Sequence, residues 1–241
     1  SVLGKESLFN TFLENAMSST NTRTLQGKTL FITGASRGIG AGLADLYREA
    51  GHEVTGTGRS VVADFQLDVA HPSDHAAMAE AMAGKPVDLL ICNAGVLFDR
   101  SEELENGYNA EMWAAMFAAN VTGVFLSVQS MLSMLRLAPN AKIAIISSQL
   151  GSSTHAGGGM YIYRASKAAA LNLGRNLATD LRDEGISVGI YHPGWVKTDM
   201  GGDFADITID ESVQGLAARF AALNLETTGC FETWDGRAHD L

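Results

Sequence analysis

Basic residues, proline and cysteine are scarce in this 241-residue chain, and each scarcity excludes a class of protein. Lysine and arginine number 17 against 27 acidic residues, and the resulting net charge of -10 disfavours nucleic acid or an anionic membrane as a partner. With four prolines and 18% charged residues, the composition is not that of a disordered protein. Two cysteines, both in apolar stretches, suit a reducing cytoplasm better than secretion.

Unbroken apolar runs of about 20 residues, the length that a membrane helix needs, are also missing. Residues 1–10 lack the basic-then-apolar order of a signal peptide. We therefore expect a cytoplasmic globular protein with no membrane partner.

The first 27 residues differ from the rest of the chain. Apolar residues recur at helical spacing between Leu8 and Met17, behind a Ser7 cap, and a polar stretch follows. We predict an amphipathic helical arm over residues 1–27 that packs on the body or on a second subunit. A helix on a membrane surface would need basic residues on its polar face, and this segment has almost none.

From Lys28 onward, apolar runs of strand length alternate with helical patterns. The runs are nearly continuous, as in parallel strands buried on both faces. We predict an α/β fold with a doubly wound parallel sheet in three layers, a single domain over residues 28–241. Strands are predicted at 29–33, 53–57, 87–92, 141–147, 187–191 and 229–232, and helices at 39–49, 73–83, 110–135, 161–182 and 211–223.

A glycine-rich turn follows the first predicted strand and precedes a helix. In Thr33–Gly40, Gly34 permits the tight turn, Gly38 lets the backbone approach a phosphate, and Gly40 lets the helix pack on the strand. The amino end of that helix would bind an anion through its free N–H groups. A purely structural turn has the same composition, so the turn alone leaves both interpretations open.

The same residues also match Gly-x-Ser-x-Gly, the nucleophile elbow of serine hydrolases, with Ser36 as nucleophile. That elbow normally follows several strands, whereas this turn ends the first one. It also leaves Gly40 without a role, so we favour a dinucleotide site.

The end of the second strand indicates which dinucleotide binds. NAD sites usually place an acid there, but this chain has Gly58 followed by Arg59, and Arg37 lies in the nearby turn. One arginine alone is usually a solvated loop charge. Two guanidinium groups without a carboxylate suit a 2′-phosphate, so the sequence favours NADP(H), with NAD(H) as the alternative.

Tyr163 and Lys167 are one helical turn apart, on one face. Together with the glycine turn, this pair resembles the short-chain dehydrogenase/reductase family, and the resemblance covers all of the chain except the first 27 residues. It implies a Rossmann fold and an NADP(H)-dependent oxidoreductase acting on a small-molecule carbonyl or alcohol. The matching motifs, in the family's order, are Thr33–Gly40, Asp68-Val69, Cys92-Asn93-Ala94-Gly95, Asn120, Ser147-Ser148, Tyr163-x-x-x-Lys167 and His192-Pro193-Gly194-Trp195-Val196-Lys197-Thr198.

The resemblance implies four catalytic residues. Tyr163 would exchange a proton with the substrate oxygen, and a nearby cationic Lys167 should lower its pKa from about 10. Ser148, chosen over Ser147 because Gln149-Leu150-Gly151 follows it, would orient the substrate. Asn120 would anchor a water that relays protons to Lys167, and in an apolar helix it would also stabilise a kink.

Cofactor contacts are implied for the adenine, ribose and nicotinamide parts, and the run Asn93–Gly95 would also stabilise the sheet. The predicted cofactor-binding residues are Gly34, Ser36, Arg37, Gly38, Ile39, Gly40, Arg59, Asp68, Val69, Asn93, Ala94, Gly95, Tyr163, Lys167, Pro193, Gly194, Val196 and Thr198. The two long helices resemble those that pair in the family, so a homodimer or homotetramer is expected. A family member that binds NADP as a regulatory or scaffold protein is the alternative.

Other signals are assigned no chemistry. His71 and His75 have metal-ligand spacing, but no further ligand joins them, so no metal site is predicted. The acidic stretch that starts at Asp99 is predicted to be a solvated loop. His155 and Trp195 are candidates for the wall of a substrate pocket.

Overall fold

A seven-stranded parallel sheet forms the centre of the molecule. The computed structural model describes residues 27–60 and 63–240, so the predicted arm lies outside the described residues except for Gly27. The strand order is β3-β2-β1-β4-β5-β6-β7, which places the point where the order reverses between β1 and β4. The strands are β1 Thr29–Thr33, β2 Glu53–Gly58, β3 Phe65–Gln66, β4 Leu89–Cys92, β5 Lys142–Ile146, β6 Ser187–His192 and β7 Phe231–Thr233.

Helices cover both faces of this sheet. Two of them, α1 and α6, share a core cluster with one face, and α2, α4 and α5 share the second cluster with the other face. The predicted three-layer, doubly wound fold is therefore confirmed. The helices are α1 Gly38–Glu49, α2 Pro72–Met82, α3 Ala110–Phe117, α4 Gly123–Leu135, α5 Tyr161–Leu181 and α6 Ile209–Ala222.

Side chains of β1 alternate between the two core clusters. Leu30 and Ile32 pack toward α1 and α6, whereas Phe31 packs toward the opposite helices. All three are fully buried, which explains why the strand is a continuous apolar run in the sequence.

The helix predicted over 110–135 is interrupted by a π-helical turn, Ala118–Thr122, between α3 and α4. Asn120 lies in this turn, at the place where the predicted continuous helix changes from α-helical to π-helical geometry. By length and composition, Ala110–Leu135 could also cross a membrane: an 18-residue window within it has a mean hydropathy of 1.4, and 44% of that window is buried. A buried core helix has the same length and composition, so this finding does not contradict the expectation that unbroken apolar runs of membrane length are missing. Its buried side, with Met116 and Met131, lies in the protein core.

Candidate active site

The glycine turn after β1 has a backbone that side chains would obstruct. Gly34 and Gly38 have φ angles of +69° and +58°, a region that favours glycine. A Cβ on Gly40 would lie 2.2 Å from the Gly34 carbonyl oxygen. Arg37 is extended before α1, and no side chain of the described residues caps that helix, so its first N–H groups face the turn without a side-chain acceptor there. These features fit the diphosphate of a dinucleotide.

Asn93 and Ala94, directly after β4, brace this turn. Both of their backbone N–H groups donate to Thr33 Oγ1 at 3.1 Å. Asn93 Nδ2 also donates to the Thr33 and Gly34 carbonyls, at 3.2 and 3.0 Å. The structural role predicted for this motif is confirmed, because it joins the ends of β1 and β4 at the switch point.

The two arginines predicted for the 2′-phosphate have different surroundings. Arg37 Nη1 lies 2.9 Å from Asp199 Oδ2, an ion pair with both side chains mostly exposed. Arg59 is exposed and directly follows buried Gly58 at the end of β2. A Cβ on Gly58 would lie 3.1 Å from Ser36 Oγ, so the end of β2 is in contact with the glycine turn.

The loop predicted to cover adenine is held by groups from α2. The Asp68 backbone N–H donates to Asp74 Oδ2 at 2.9 Å. The Val69 carbonyl lies 2.9 Å from Nε2 of His75, which is only 3% exposed. A Cβ on Gly123 of α4 would lie 2.9 Å from the Val69 Cβ, so the loop also contacts α4 closely. His75 therefore holds this loop by a hydrogen bond.

Helix α5 brings Tyr163 and Lys167 to the end of β5. Both side chains are buried, and Lys167 Nζ lies 5.6 Å from the centre of the Tyr163 ring. Lys167 Nζ donates to the Ile146 carbonyl at 3.1 Å. Ser147 Oγ donates to the Lys167 carbonyl at 3.0 Å, which ties β5 to the helix. Ser148, the next residue, accepts from the Leu150 N–H through its Oγ at 3.1 Å, and hydrogen bonding to Ser148 lowers the pKa of Tyr163.

Asn120 lies next to Lys167 and is almost fully buried. Its Oδ1 accepts from the Val96 N–H at 2.8 Å, and its Nδ2 donates to the Val96 carbonyl and to Ser166 Oγ, at 2.9 and 3.0 Å. A Cβ on Gly95 would lie 3.3 Å from Asn120 Oδ1 and 3.4 Å from Lys167 Nζ. The π-helical turn therefore joins the β4 loop to α5, close to the Lys167 amine.

Burial has the largest effect on the two ionisable groups. It raises the pKa of Tyr163 to about 12 and lowers the pKa of Lys167 to about 8. Hydrogen bonding to Ser148 and the charge of Arg100 oppose the rise at Tyr163, whereas the charge of Asp99 adds to it. The predicted lowering of the Tyr163 pKa is wrong for this structure, because removing the phenolate from water outweighs the favourable charges. The neutral phenol at pH 7 is a proton donor.

Asp99 is a residue that sequence reasoning missed. It was predicted in a solvated loop, but its side chain is fully buried. Its Oδ2 accepts from the backbone N–H groups of Ile162 and Tyr163, at 2.8 and 3.1 Å. The available signal was indirect: Met160, directly before α5, has no side-chain oxygen to cap the helix.

The segment after β6 lies over the glycine turn. Ser212 Oγ of α6 donates to the Pro193 carbonyl at 2.6 Å, and Val196 forms a β-bridge with Ile207. Gly194 has a φ of +89°, and a Cβ there would lie 2.4 Å from Ile207 Cδ1. A Cβ on Gly38 would lie 3.5 Å from Thr198 Cγ2. The glycine turn and the segment after β6 are therefore in contact at Gly38 and Thr198.

A cavity of about 480 Å³ lies between the insert after β5, the loop after β6 and the C-terminal residues, and Gln149, the residue after Ser148, is part of its wall. His155 and Trp195, the two predicted candidates, both line it. Burial lowers the pKa of His192 to about 4, so its ring is neutral at pH 7. Further lining residues include Gln149, His192, Trp234, Arg237 and His239.

Comparisons with known proteins place these motifs in one family. A sequence profile described as short chain dehydrogenase matches residues 28–207. The C-signal protein of Myxococcus xanthus is 38% identical over 163 residues, which cover 66% of this chain and 96% of that protein. The 3-oxoacyl-(acyl-carrier-protein) reductase FabG of Vibrio cholerae serotype O1 is 29% identical over 191 residues, 73% of this chain and 76% of that protein.

A solved structure shows the same architecture. The NADPH-bound carbonyl reductase from chicken fatty liver is similar with a TM-score of 0.80 and 29% sequence identity. The match covers 90% of this chain and 100% of that chain.

Proposed function

Because this chain belongs to the short-chain dehydrogenase family, whose members are oxidoreductases with a Rossmann fold and a nicotinamide cofactor, we propose that it interconverts a carbonyl and an alcohol with NADP(H). One observation carries the proposal: Tyr163 and Lys167 are buried side by side where β5 ends. Hydrogen bonding to Ser148 acts on the Tyr163 phenol, and Gln149, the residue after Ser148, lines the cavity.

The residues at the strand ends fit the proposed cofactor. The glycine turn and the uncapped start of α1 would hold the diphosphate, and Arg37 and Arg59 would hold the 2′-phosphate. Lys167 would hold the nicotinamide ribose, as the family resemblance implies. Bound NADPH supplies the hydride that reduces the carbonyl carbon.

In this proposal, residues of the chain donate the proton and stabilise the phenolate that remains. Tyr163, neutral at pH 7, donates its phenolic proton to the carbonyl oxygen as that oxygen gains negative charge. The Ser148 hydroxyl holds the same oxygen in place. Lys167 stabilises the resulting phenolate, and its pKa of about 8 leaves it mostly protonated at neutral pH. Asn120 keeps the loop beside Lys167 in position.

Replacement of Tyr163 tests this role directly. In Tyr163→Phe the proton donor is gone while the ring still fills its place, so kcat should fall by roughly 10²- to 10⁴-fold. Turnover is measured as NADPH consumption across aldehydes, ketones and quinones, and NADPH affinity by fluorescence.

Tyr161→Phe is the matched control, since Tyr161 lies on the same helix and is 40% exposed. This variant should retain wild-type turnover and NADPH affinity, and Tyr163→Phe should still bind NADPH, because the other cofactor-binding residues are unchanged. A Tyr163→Phe protein with wild-type turnover would contradict the proposed mechanism.

A second candidate, an NADP-binding regulatory protein with little catalysis, is favoured by one finding. The relative with 38% identity carries the name C-signal. NADPH binding without turnover of any carbonyl in the panel would support this candidate. The buried group of Ser148, Tyr163, Lys167 and Asn120 supports the enzyme instead.

A further inference from the structure

Helix α5 begins without a cap from its own segment. Met160, directly before it, has a left-handed backbone with φ +45° and makes no side-chain hydrogen bond to the helix. Gly158 and Gly159 also have positive φ angles, so three consecutive residues before the helix have this conformation. Tyr163 is the third residue of α5, which makes its position depend on how this first turn is held.

The missing cap comes from a distant loop. Asp99, seven residues after the end of β4, is fully buried, and its Oδ2 accepts the N–H groups of Ile162 and Tyr163. These are two of the four donors that a helix start leaves unsatisfied. The second oxygen, Oδ1, is buried without a hydrogen-bond partner among the described residues. A carboxylate there also complements the positive end of the helix dipole.

We propose that Asp99 is a positioning residue for the reaction: it holds the backbone of Tyr163 and places a negative charge at the start of α5, where that residue lies. The proposal rests on the function proposed above, because Tyr163 matters only if it exchanges a proton. It gives a role in the reaction to Asp99, which was predicted from the sequence to lie in a solvated loop.

The charged groups around Tyr163 shift the pKa of its phenol in opposite directions. Asp99 raises the pKa of the phenol and Arg100, the next residue, lowers it. Arg100 is hydrogen-bonded to the Met200 carbonyl in the segment after β6. Lys167 faces the phenol from α5, and Tyr108 faces Asp99 from the same loop. Asp99 therefore favours the protonated phenol, the form that carbonyl reduction needs.

Two variants separate the capping role from the charge. Asp99→Asn keeps a side-chain oxygen that can accept both N–H groups but removes the charge. Asp99→Ala removes both. Hydrogen exchange measures the protection of the Ile162 and Tyr163 amides. NMR of tyrosine labelled with ¹³C at Cζ measures the titration of Tyr163, assigned with Tyr163→Phe.

The expected results differ for the two variants. Asp99→Asn should keep both amides protected, and Tyr163 should titrate at least about 0.5 pH units lower than in wild type, because a nearby negative charge is gone. Asp99→Ala should lose protection by roughly tenfold or more, with kcat for reduction falling by about tenfold and NADPH affinity unchanged. Asp99→Asn should stay within about threefold of wild-type kcat, since the geometry is kept.

Protected amides in Asp99→Ala, or a wild-type Tyr163 titration in Asp99→Asn, would overturn the proposal. Both of these readouts are independent of turnover. If they come out as expected while wild-type protein reduces no carbonyl, the proposed function fails and the cap and charge effect of Asp99 remain.

Discussion

At the scale of single residues, the preference for NADP(H) over NAD(H) depends on the residues at the end of β2. Gly58 carries no carboxylate there, and Arg59 is exposed directly after it. Arg37 already has a partner, Asp199, so its guanidinium would have to leave an ion pair to reach a phosphate. Arg59 is therefore the stronger candidate for the 2′-phosphate.

Arg59→Ala should weaken NADPH binding by roughly tenfold to a hundredfold, because a charge-assisted hydrogen bond is lost. NADH lacks the 2′-phosphate, so its affinity should change by less than about threefold. Titration with both cofactors measures the two dissociation constants. Arg48→Ala is the control, since Arg48 is bonded to Asp64 and should not affect this preference. Equal losses for NADPH and NADH would contradict the assignment.

The candidate catalytic residues could be predicted from their spacing in the sequence, whereas their burial and their contacts with distant residues could not. Tyr163 and Lys167 stand one helical turn apart in any helix, so their pairing follows from local geometry. The Tyr163 pKa is raised mainly by burial, and Asp99, which adds to the rise, lies 64 residues away in the chain. Neither burial nor a contact over that separation is visible in a local pattern.

At the scale of elements, the glycine turn works because three backbone segments approach closely. The position of Gly40 is the tightest, since a Cβ there would overlap the Gly34 carbonyl and lie 2.5 Å from Asn93 Nδ2.

The π-helical turn shows the opposite case: the apolar pattern of 110–135 predicted one helix, because periodicity does not report an added residue in the helical turn. Asn120 was the one local sign of it.

Gly40→Ala should destabilise the fold by about 1–3 kcal/mol, the usual cost of overpacking, and should abolish tight NADPH binding. The Cβ would displace the β1 turn from the start of α1. Thermal unfolding and NADPH titration measure the two effects. Gly51→Ala is the matched control: it has φ +85° but no atom within 4 Å of its Cβ position. It should lower stability by about 1 kcal/mol and leave NADPH affinity unchanged. Wild-type NADPH affinity in Gly40→Ala would argue against a phosphate site at this turn.

At the scale of the whole molecule, alternation of strands and helices was enough to predict the layers and the parallel sheet. The return of the C-terminal residues over the end of β6 was not predictable, because it depends on contacts with distant loops. The backbone N–H of His239 donates to the Phe231 carbonyl at 2.8 Å, and the His239 ring lies 5.1 Å from the His155 ring. The helical arm, the homo-oligomer and the cytoplasmic location stay predictions.

This C-terminal return should control substrate affinity. The His239 ring is 4.8 Å from that of Phe231, and His239 lines the cavity between the insert after β5 and the loop after β6. In His239→Ala, we expect KM for a carbonyl substrate to rise by roughly threefold to tenfold, with kcat and NADPH affinity within about twofold of wild type. That pattern indicates lost binding that is equal in the ground state and the transition state.

Steady-state kinetics with the best carbonyl from the panel measures this split. Leu137→Ala is the control, because Leu137 is 56% exposed at the end of α4 and does not line the cavity. It should leave KM unchanged. A His239→Ala enzyme with an unchanged KM would mean that substrate does not reach this cavity. The C-terminal residues would then serve only to cover β7, whose Thr233 N–H donates to the Arg237 carbonyl at 2.9 Å.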